Sequence, residues 1–226
     1  MSGRLPDAVR KLLELPAGER KIGAFRLMRP LGQGGFAPVW LADEVAGSAV
    51  LRQAAVKLFA LERGGEARQA IIDEAARLCR LEHPNIVRFY ALPIDEPRAV
   101  VGLAMEYVAG KPLAQVLLER RELPVREALD IGIAIASALS AVHSAGLVHR
   151  DVHTSNVMVT ESIVGSPSAY KLIDFGIAAA GARGLPGSAP RGGRSAEELV
   201  VSRLEGLGKR GYVDPVCWRE EAAATS

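Results

Sequence analysis

An α+β fold is what this 226-residue sequence predicts. Three observations point to it. Short strand-like apolar runs crowd the first half, with a single helical pattern among them. A long apolar helical pattern lies just past the midpoint, with short apolar runs after it. No internal repeat or low-complexity tract suggests a solenoid, a coiled coil or a fibre.

Taken in order, residues 1–21 form a charged N-terminal arm whose Asp7-Ala8-Val9-Arg10-Lys11-Leu12-Leu13-Glu14-Leu15 reads as a short helix, either packed on the domain or free. Residues 25–30 and 38–43 read as strands around a glycine-rich turn, and 54–59 as a third strand. Gly64-Gly65 breaks the chain before a helical pattern over 66–81, with Ile71, Ala75, Leu78 and Cys79 at 3–4 spacing. Pro84 ends it. Residues 86–92 and 99–107 are strands four and five, split by Pro93-Ile94-Asp95-Glu96-Pro97. A short helix follows over 113–120. Pro124 suits the first turn of a long helix reaching about Ser144. Residues 157–160 and 170–173 are short strands joined by a Gly/Ser/Pro loop. Beyond Gly176 the composition shifts to Gly, Ala, Ser and Arg, with a short helix over 195–207.

Composition narrows the function classes. The apolar fraction of 49% suffices for a packed core, and a net charge of +2 gives no case for nucleic-acid or membrane partners. Cys79 and Cys217 are far apart and lack metal-ligand spacing, so a reduced, cytoplasmic setting is expected rather than a disulfide scaffold. Residues 1–20, punctuated by Pro6, Pro16 and charges, are not expected to be a secretory leader. The most apolar stretch, 131–142, is too short to span a bilayer and reads as a buried core helix.

Four segments carry chemistry. In Leu31-Gly32-Gln33-Gly34-Gly35-Phe36-Ala37-Pro38-Val39 the glycines let a backbone turn approach phosphate oxygens and present N–H donors; an ordinary hairpin turn is the alternative. Lys57, in Ala55-Val56-Lys57, sits in an apolar strand, where a cation is costly unless it meets anions; an edge-strand lysine facing water is the alternative. Glu74, on the following helix, is placed to fix that lysine or is a solvated helix glutamate. His149-Arg150-Asp151-Val152-His153-Thr154-Ser155-Asn156, followed by Asp174-Phe175-Gly176, supplies Asp151 to take a proton and Asn156 and Asp174 as oxygen ligands for Mg²⁺. That combination is what phosphoryl transfer from a nucleotide requires.

Together with His83-Pro84-Asn85-Ile86-Val87 and Met105-Glu106-Tyr107-Val108, these segments run from about residue 22 to 178 in an order that resembles the protein-kinase fold, nearest to bacterial Ser/Thr protein kinases. The resemblance implies a two-lobed architecture. An N-lobe over 22–107 would hold a five-stranded antiparallel sheet and a helix. A partial, mainly helical C-lobe over 108–226 would include an activation segment over 174–216. ATP and Mg²⁺ are the implied cofactors and a protein hydroxyl the implied acceptor. Leu31, Gly32, Gly34, Gly35 and Val39 would cover the nucleotide. Val39 and Ala55 above and Met158 below would sandwich the base. Lys57, fixed by Glu74, would clamp the α/β-phosphates. Met105 resembles the gatekeeper, and Glu106 C=O and Val108 N–H would bond the adenine edge. Leu78, Phe89, His149 and Phe175 match an apolar stack, and His143 a structural position.

The sequence departs from the family pattern in four places. Ala37 replaces the third glycine of the loop. His153, counted with Asp151, Lys57 and Asn156 as catalytic, stands where Ser/Thr kinases carry a lysine that contacts the γ-phosphate. An imidazole there resembles aminoglycoside and choline phosphotransferases and makes a weaker phosphate clamp. In Gly208-Lys209-Arg210-Gly211-Tyr212-Val213-Asp214-Pro215-Val216, Lys209 and Val216 replace the usual threonine and glutamate. The chain then stops, so a kinase truncated in its lower C-lobe is expected, with apolar surface exposed on the long helix and a partner to cover it. Arg150 resembles the arginine that pairs with an activating phosphate, and Ser188, Ser195 and Ser202 are the available serines. The reading is an ATP- and Mg²⁺-dependent Ser/Thr protein kinase, impaired by truncation. The alternative is a pseudokinase-like nucleotide-binding or interaction module. A small-molecule kinase, favoured by His153 alone, is opposed by Phe36, His83-Pro84-Asn85 and Gly211-Tyr212.

Overall fold

The computed structural model describes residues 5–33, 37–61, 65–160 and 169–175. Gly34, Gly35, Phe36, Gly176, the segment from 176 to 216, the helix expected over 195–207 and the three serines lie outside the described residues. The chain divides into two compact units, Met1–Ala109 and Gly110–Ser226.

The first unit is built on an antiparallel sheet. Its strands are β1 (Lys21–Ile22), β2 (Phe25–Gln33), β3 (Pro38–Ala46), β4 (Ala49–Ala60), β5 (Phe89–Ala91), β6 (Ile94–Asp95) and β7 (Val100–Glu106). The order is β1-β2-β3-β4-β7-β5, with β6 also on β7. The five expected strands are all present; the two-residue β1 and β6 are additions. Helix α1 is Asp7–Leu13 and α2 is Gly65–Cys79. Gly47, at φ +61, makes the two-residue turn that joins β3 to β4. Pro30 sits within β2 beyond the short pairing with β1, beside a register shift against β3. Its missing N–H is tolerated at such an edge.

Period-2 alternation gives this sheet two distinct faces. On one face, Trp40, Ala42, Ala54, Val56, Leu58, Val100 and Ala104 join Ile22, Phe25 and Leu27 in a continuous core. Helix α1 caps that core: Val9 and Leu12, three residues apart, are fully buried. Burying each contributes roughly 1.5–3 kcal/mol before entropy is counted. The N-terminal helix, which the sequence left either packed or free, is thus part of the first unit's core. Its charged side is tied by Arg10, which bonds Asp7 and Glu14 at 3.1 Å each. The other face carries the residues of functional interest.

The second unit holds β8 (Gly110–Pro112), α3 (Leu113–Arg120), α4 (Val125–Ser144), a 3-10 turn (Thr154–Asn156), β9 (Val157–Thr160) and β10 (Tyr170–Leu172). The strands form an antiparallel sheet in the order β10-β9-β8. Helix α4 packs on β10 and buries Ile131, Ala134, Ala138 and Val142. Its opposite side carries Val125, Leu129 and Ile133, exposed at 77%, 60% and 68%. The long helix thus has three large apolar side chains exposed. Among the described residues, no helix is long and apolar enough to cross a membrane. Just past the end of the helix, Gly146 has φ +68 and Leu147 N–H bonds Val142 C=O at 3.1 Å. That glycine-terminated cap reverses the chain into the loop leading to Asp151.

Candidate active site

Strand register assembles one group of candidate residues on the first unit. Reading across β2, β3, β4 and β7, Gly32 pairs with Val39, Val39 with Lys57 and Lys57 with Leu103. One row along, Leu41 pairs with Ala55, Ala55 with Met105 and Met105 with Phe89. Residues directly opposite, or two apart on one strand, share a face. Gly32, Val39, Ala55, Lys57 and Met105 therefore lie on one side of the sheet, opposite the α1-capped core. Leu31 adjoins them at the end of β2.

Lys57 is half-buried, with its Nζ 5.5 Å from the Phe59 ring centroid. Glu74 is buried on α2, at 6% exposure, in the same turn as the buried Ala75 and one turn before Leu78. A carboxylate so placed is stable only where polar or cationic partners meet it. Glu106 ends β7: its N–H bonds Arg88 C=O at 2.8 Å, and its side chain accepts from Arg88 N–H at 3.1 Å. Val108 lies just beyond, partly buried.

Within the second unit, a separate group of candidate residues centres on His149, which is wholly buried. Its Nδ1 accepts from Asp151 N–H at 3.3 Å and its Nε2 lies 2.9 Å from Ile173 C=O. An acceptor at Nδ1 leaves the hydrogen on Nε2, so the ring donates to Ile173. The Phe175 ring stacks against it, tilted by 50°, at 4.5 Å between centroids. Arg150 and Asp174 have φ of +67° and +64°, in the left-handed region that costs non-glycine residues. One imidazole thus ties down the residue after the first of these positions and the residue before the second.

Burial pushes His149 below the usual imidazole value, against the opposing pull of the Ile173 carbonyl and of Asp151 and Asp174. The neutral ring is the folded form, whereas the unfolded chain takes up a proton near pH 6.5. Stability from this residue is complete above about pH 6.5 and declines as pH falls through that value towards the depressed one. Urea midpoints should therefore drop between about pH 7 and pH 5, and drop less in His149→Gln. Equal slopes in both proteins would contradict this.

Asn156 is buried in the 3-10 turn, and its Nδ2 donates to Asp151 C=O at 2.8 Å and to Asp151 Oδ2 at 3.1 Å. Both partners are acceptors, which fixes the amide orientation and turns Asn156 Oδ1 the other way. Asn156 C=O accepts from Ile173 N–H at 2.8 Å. The antiparallel pairing of β9 with β10 therefore sets Asn156 beside the residue preceding Asp174. An amide oxygen and a carboxylate are hard donors of the kind Mg²⁺ takes in small numbers alongside water and phosphate. Met158 follows on β9, paired with Lys171 and Pro112.

His153 does more within the loop than its sequence position suggested. The side chain is buried; Nδ1 accepts from Ser155 N–H at 3.1 Å, and Nε2 lies 3.4 Å from Asp151 Oδ2. Sequence reasoning treated it as a substitute for a phosphate-binding lysine and missed the contact with Asp151. A signal was available: His83 and His149 also accept the N–H two residues on, so His-x-x in these loops marks a side-chain-to-backbone turn.

A family model described as "Protein kinase domain" matches residues 25–194. Serine/threonine-protein kinase pkn2 of Myxococcus xanthus is 35% identical over 69% of this chain and 18% of the relative. PrkC of Bacillus subtilis is 33% identical over 72% and 24%. The chain therefore spans less than a third of the length of either of these curated relatives. Among solved structures, the PknI kinase domain of Mycobacterium tuberculosis superposes with a TM-score of 0.60 at 29% identity, over 72% of this chain and 62% of that one.

Proposed function

Because this chain belongs to the protein kinase family, we propose that it transfers the γ-phosphoryl group of ATP, with Mg²⁺, to a serine or threonine hydroxyl of a protein. The observation that carries the proposal is the clasp in which Asn156 holds both the backbone and the carboxylate of Asp151, while its own carbonyl is bonded to Ile173, next to Asp174. That arrangement supports a reading in which Asp151 is the base and Asn156 and Asp174 the metal ligands that phosphoryl transfer needs.

On this reading Lys57 clamps the α/β-phosphates and Glu74 fixes it. Leu31, Gly32, Gly34, Gly35, Val39, Ala55 and Met158 enclose the nucleotide, with Met105 at the back and Glu106 and Val108 on the adenine edge. The shared sheet face of Gly32, Val39, Ala55, Lys57 and Met105 supports that assignment. Asp174 and the Asn156 amide oxygen would hold Mg²⁺, which neutralises charge on the phosphates. Asp151 orients the acceptor hydroxyl and receives its proton late in the reaction. The widely separated cysteines fit a reducing, cytoplasmic setting.

A single-turnover assay with γ-labelled ATP tests the proposal. Label should pass to the protein itself or to a generic protein acceptor only when Mg²⁺ is present. Stabilisation by Mg²⁺-ATP in a thermal melt, without any transfer, would reject the enzyme and leave a nucleotide-binding module.

A further inference from the structure

We propose that His153 is a positioning residue that aims the Asp151 carboxylate, rather than a phosphate ligand. For its effect on rate the proposal rests on the kinase reading; for the contact itself it does not.

The ring's two nitrogens are divided between two tasks. Nδ1 accepts from Ser155 N–H at 3.1 Å, which caps the 3-10 turn. An imidazole that accepts at Nδ1 carries its hydrogen on Nε2, and Nε2 lies 3.4 Å from Asp151 Oδ2. The same oxygen receives Asn156 Nδ2 at 3.1 Å. The Asn156 hydrogen bond and the close polar contact of the His153 ring at this one carboxylate oxygen together restrict rotation of the group about its last bond. The Asn156 amide also holds the Asp151 backbone carbonyl at 2.8 Å. The side chain of Asp151 is 46% exposed while that of His153 is only 7% exposed. The imidazole thus supports the carboxylate from the protein side, and the carboxylate meets solvent. A flexible lysine ammonium could swing between carboxylate and phosphate; this buried ring, held at Nδ1, addresses the carboxylate.

The step that benefits is the transfer itself. The acceptor's O–H proton passes to the Asp151 carboxylate. Its oxygen forms a bond to the γ-phosphorus as the bond from that phosphorus to the bridging oxygen breaks, and ADP leaves with that electron pair. A misaimed carboxylate slows this step without weakening nucleotide binding.

Paired amide substitutions separate positioning from mere structure. In His153→Gln the amide nitrogen takes the place of Nε2, keeping the donor to Asp151 and losing the cap on Ser155. In His153→Asn the amide oxygen takes the place of Nδ1, keeping the cap and losing the donor. Positioning predicts that His153→Gln keeps a kcat well above that of His153→Asn, which falls by up to about 10²-fold at unchanged KM for ATP. A purely structural role predicts the reverse order, and that order overturns the proposal. Nitrogen-15 correlation spectra of the imidazole give a readout that needs no activity. The expected tautomer is Nε2–H, with an Nε2 resonance that moves in Asp151→Ala. An Nδ1–H tautomer, or an Nε2 resonance indifferent to Asp151, would falsify the contact. If the wild-type chain transfers no phosphate, the kinase reading fails, and the spectra still decide whether His153 holds Asp151.

Discussion

Replacing Asp151 with asparagine is expected to lower phosphoryl transfer by about 10²–10⁴-fold, the range that a positioned general base contributes. The substitution exchanges one carboxylate oxygen for an amide nitrogen at nearly constant volume. An amide oxygen at the position of Oδ2 still accepts from Asn156 Nδ2, now 3.1 Å away, and the 2.8 Å bond to the residue 151 carbonyl is untouched. The N–H to His149 Nδ1 is likewise a backbone bond and survives. Folding should therefore be preserved, with the melting temperature shifted by no more than a few degrees. On the proposed reading, what is lost is the capacity to receive the acceptor's proton. Nucleotide affinity should hold, because in this reading ATP contacts fall to Lys57, the glycine loop and the residues around Glu106. The measurement is kcat and KM for ATP side by side with a thermal melt. Retained kcat in a folded Asp151→Asn would remove Asp151 from the chemistry and with it the central assignment of the loop.

The same loop shows where sequence reading succeeded and where it stopped. The spacing of Asp151, Asn156 and Asp174 was legible because a 3-10 turn and a strand pair impose it locally, and the structure gathers these residues within one loop system. The longer strands β2, β3, β4 and β7 were legible from apolar runs; the sorting of Ala54, Val56 and Leu58 from Ala55 and Lys57 follows from the pleat alone. The short strands β1, β6 and β8 were not, since Lys21-Ile22, Ile94-Asp95 and Gly110-Lys111-Pro112 carry no apolar run. Helix α1 was visible as a helix but not as part of a core, because Val9 and Leu12 acquire their meaning only from the sheet that covers them. The contacts of His153 were out of reach for a related reason. Its identity was compared with a lysine, whereas its contacts depend on which ring nitrogen the Ser155 N–H occupies, and that is a matter of geometry.

Gly110→Ala should be the most damaging single-methyl change among the described glycines, and it connects the fold to the loop. Gly110 lies at φ +154 in β8, opposite Thr160 of β9. A Cβ there would sit 2.1 Å from Val159 O and 3.0 Å from Thr160 Cα, both backbone atoms that no rotamer change can move. The strands must separate or shift. Backbone strain and overpacking, at 1–3 kcal/mol each, add to roughly 2–6 kcal/mol, a large share of a typical domain's stability. Gly132→Ala is the matched control: it lies exposed in the middle of α4 with nothing within 4 Å of the added methyl. There the same substitution should stabilise by about 0.4–1 kcal/mol through a stiffer unfolded chain and better helix propensity. Denaturant midpoints of the two variants should therefore move in opposite directions. The strand that Gly110→Ala disturbs is the one that begins at Val157, directly after Asn156, and pairs Met158 with Pro112. Loosening β9 at one end should free the Asn156 clasp at the other, so protection of the Asn156 and Ile173 amides from hydrogen exchange should fall before global unfolding. If those amides keep full protection while the midpoint drops, the clasp is held by the 3-10 turn and His149 alone, and β8 serves only stability.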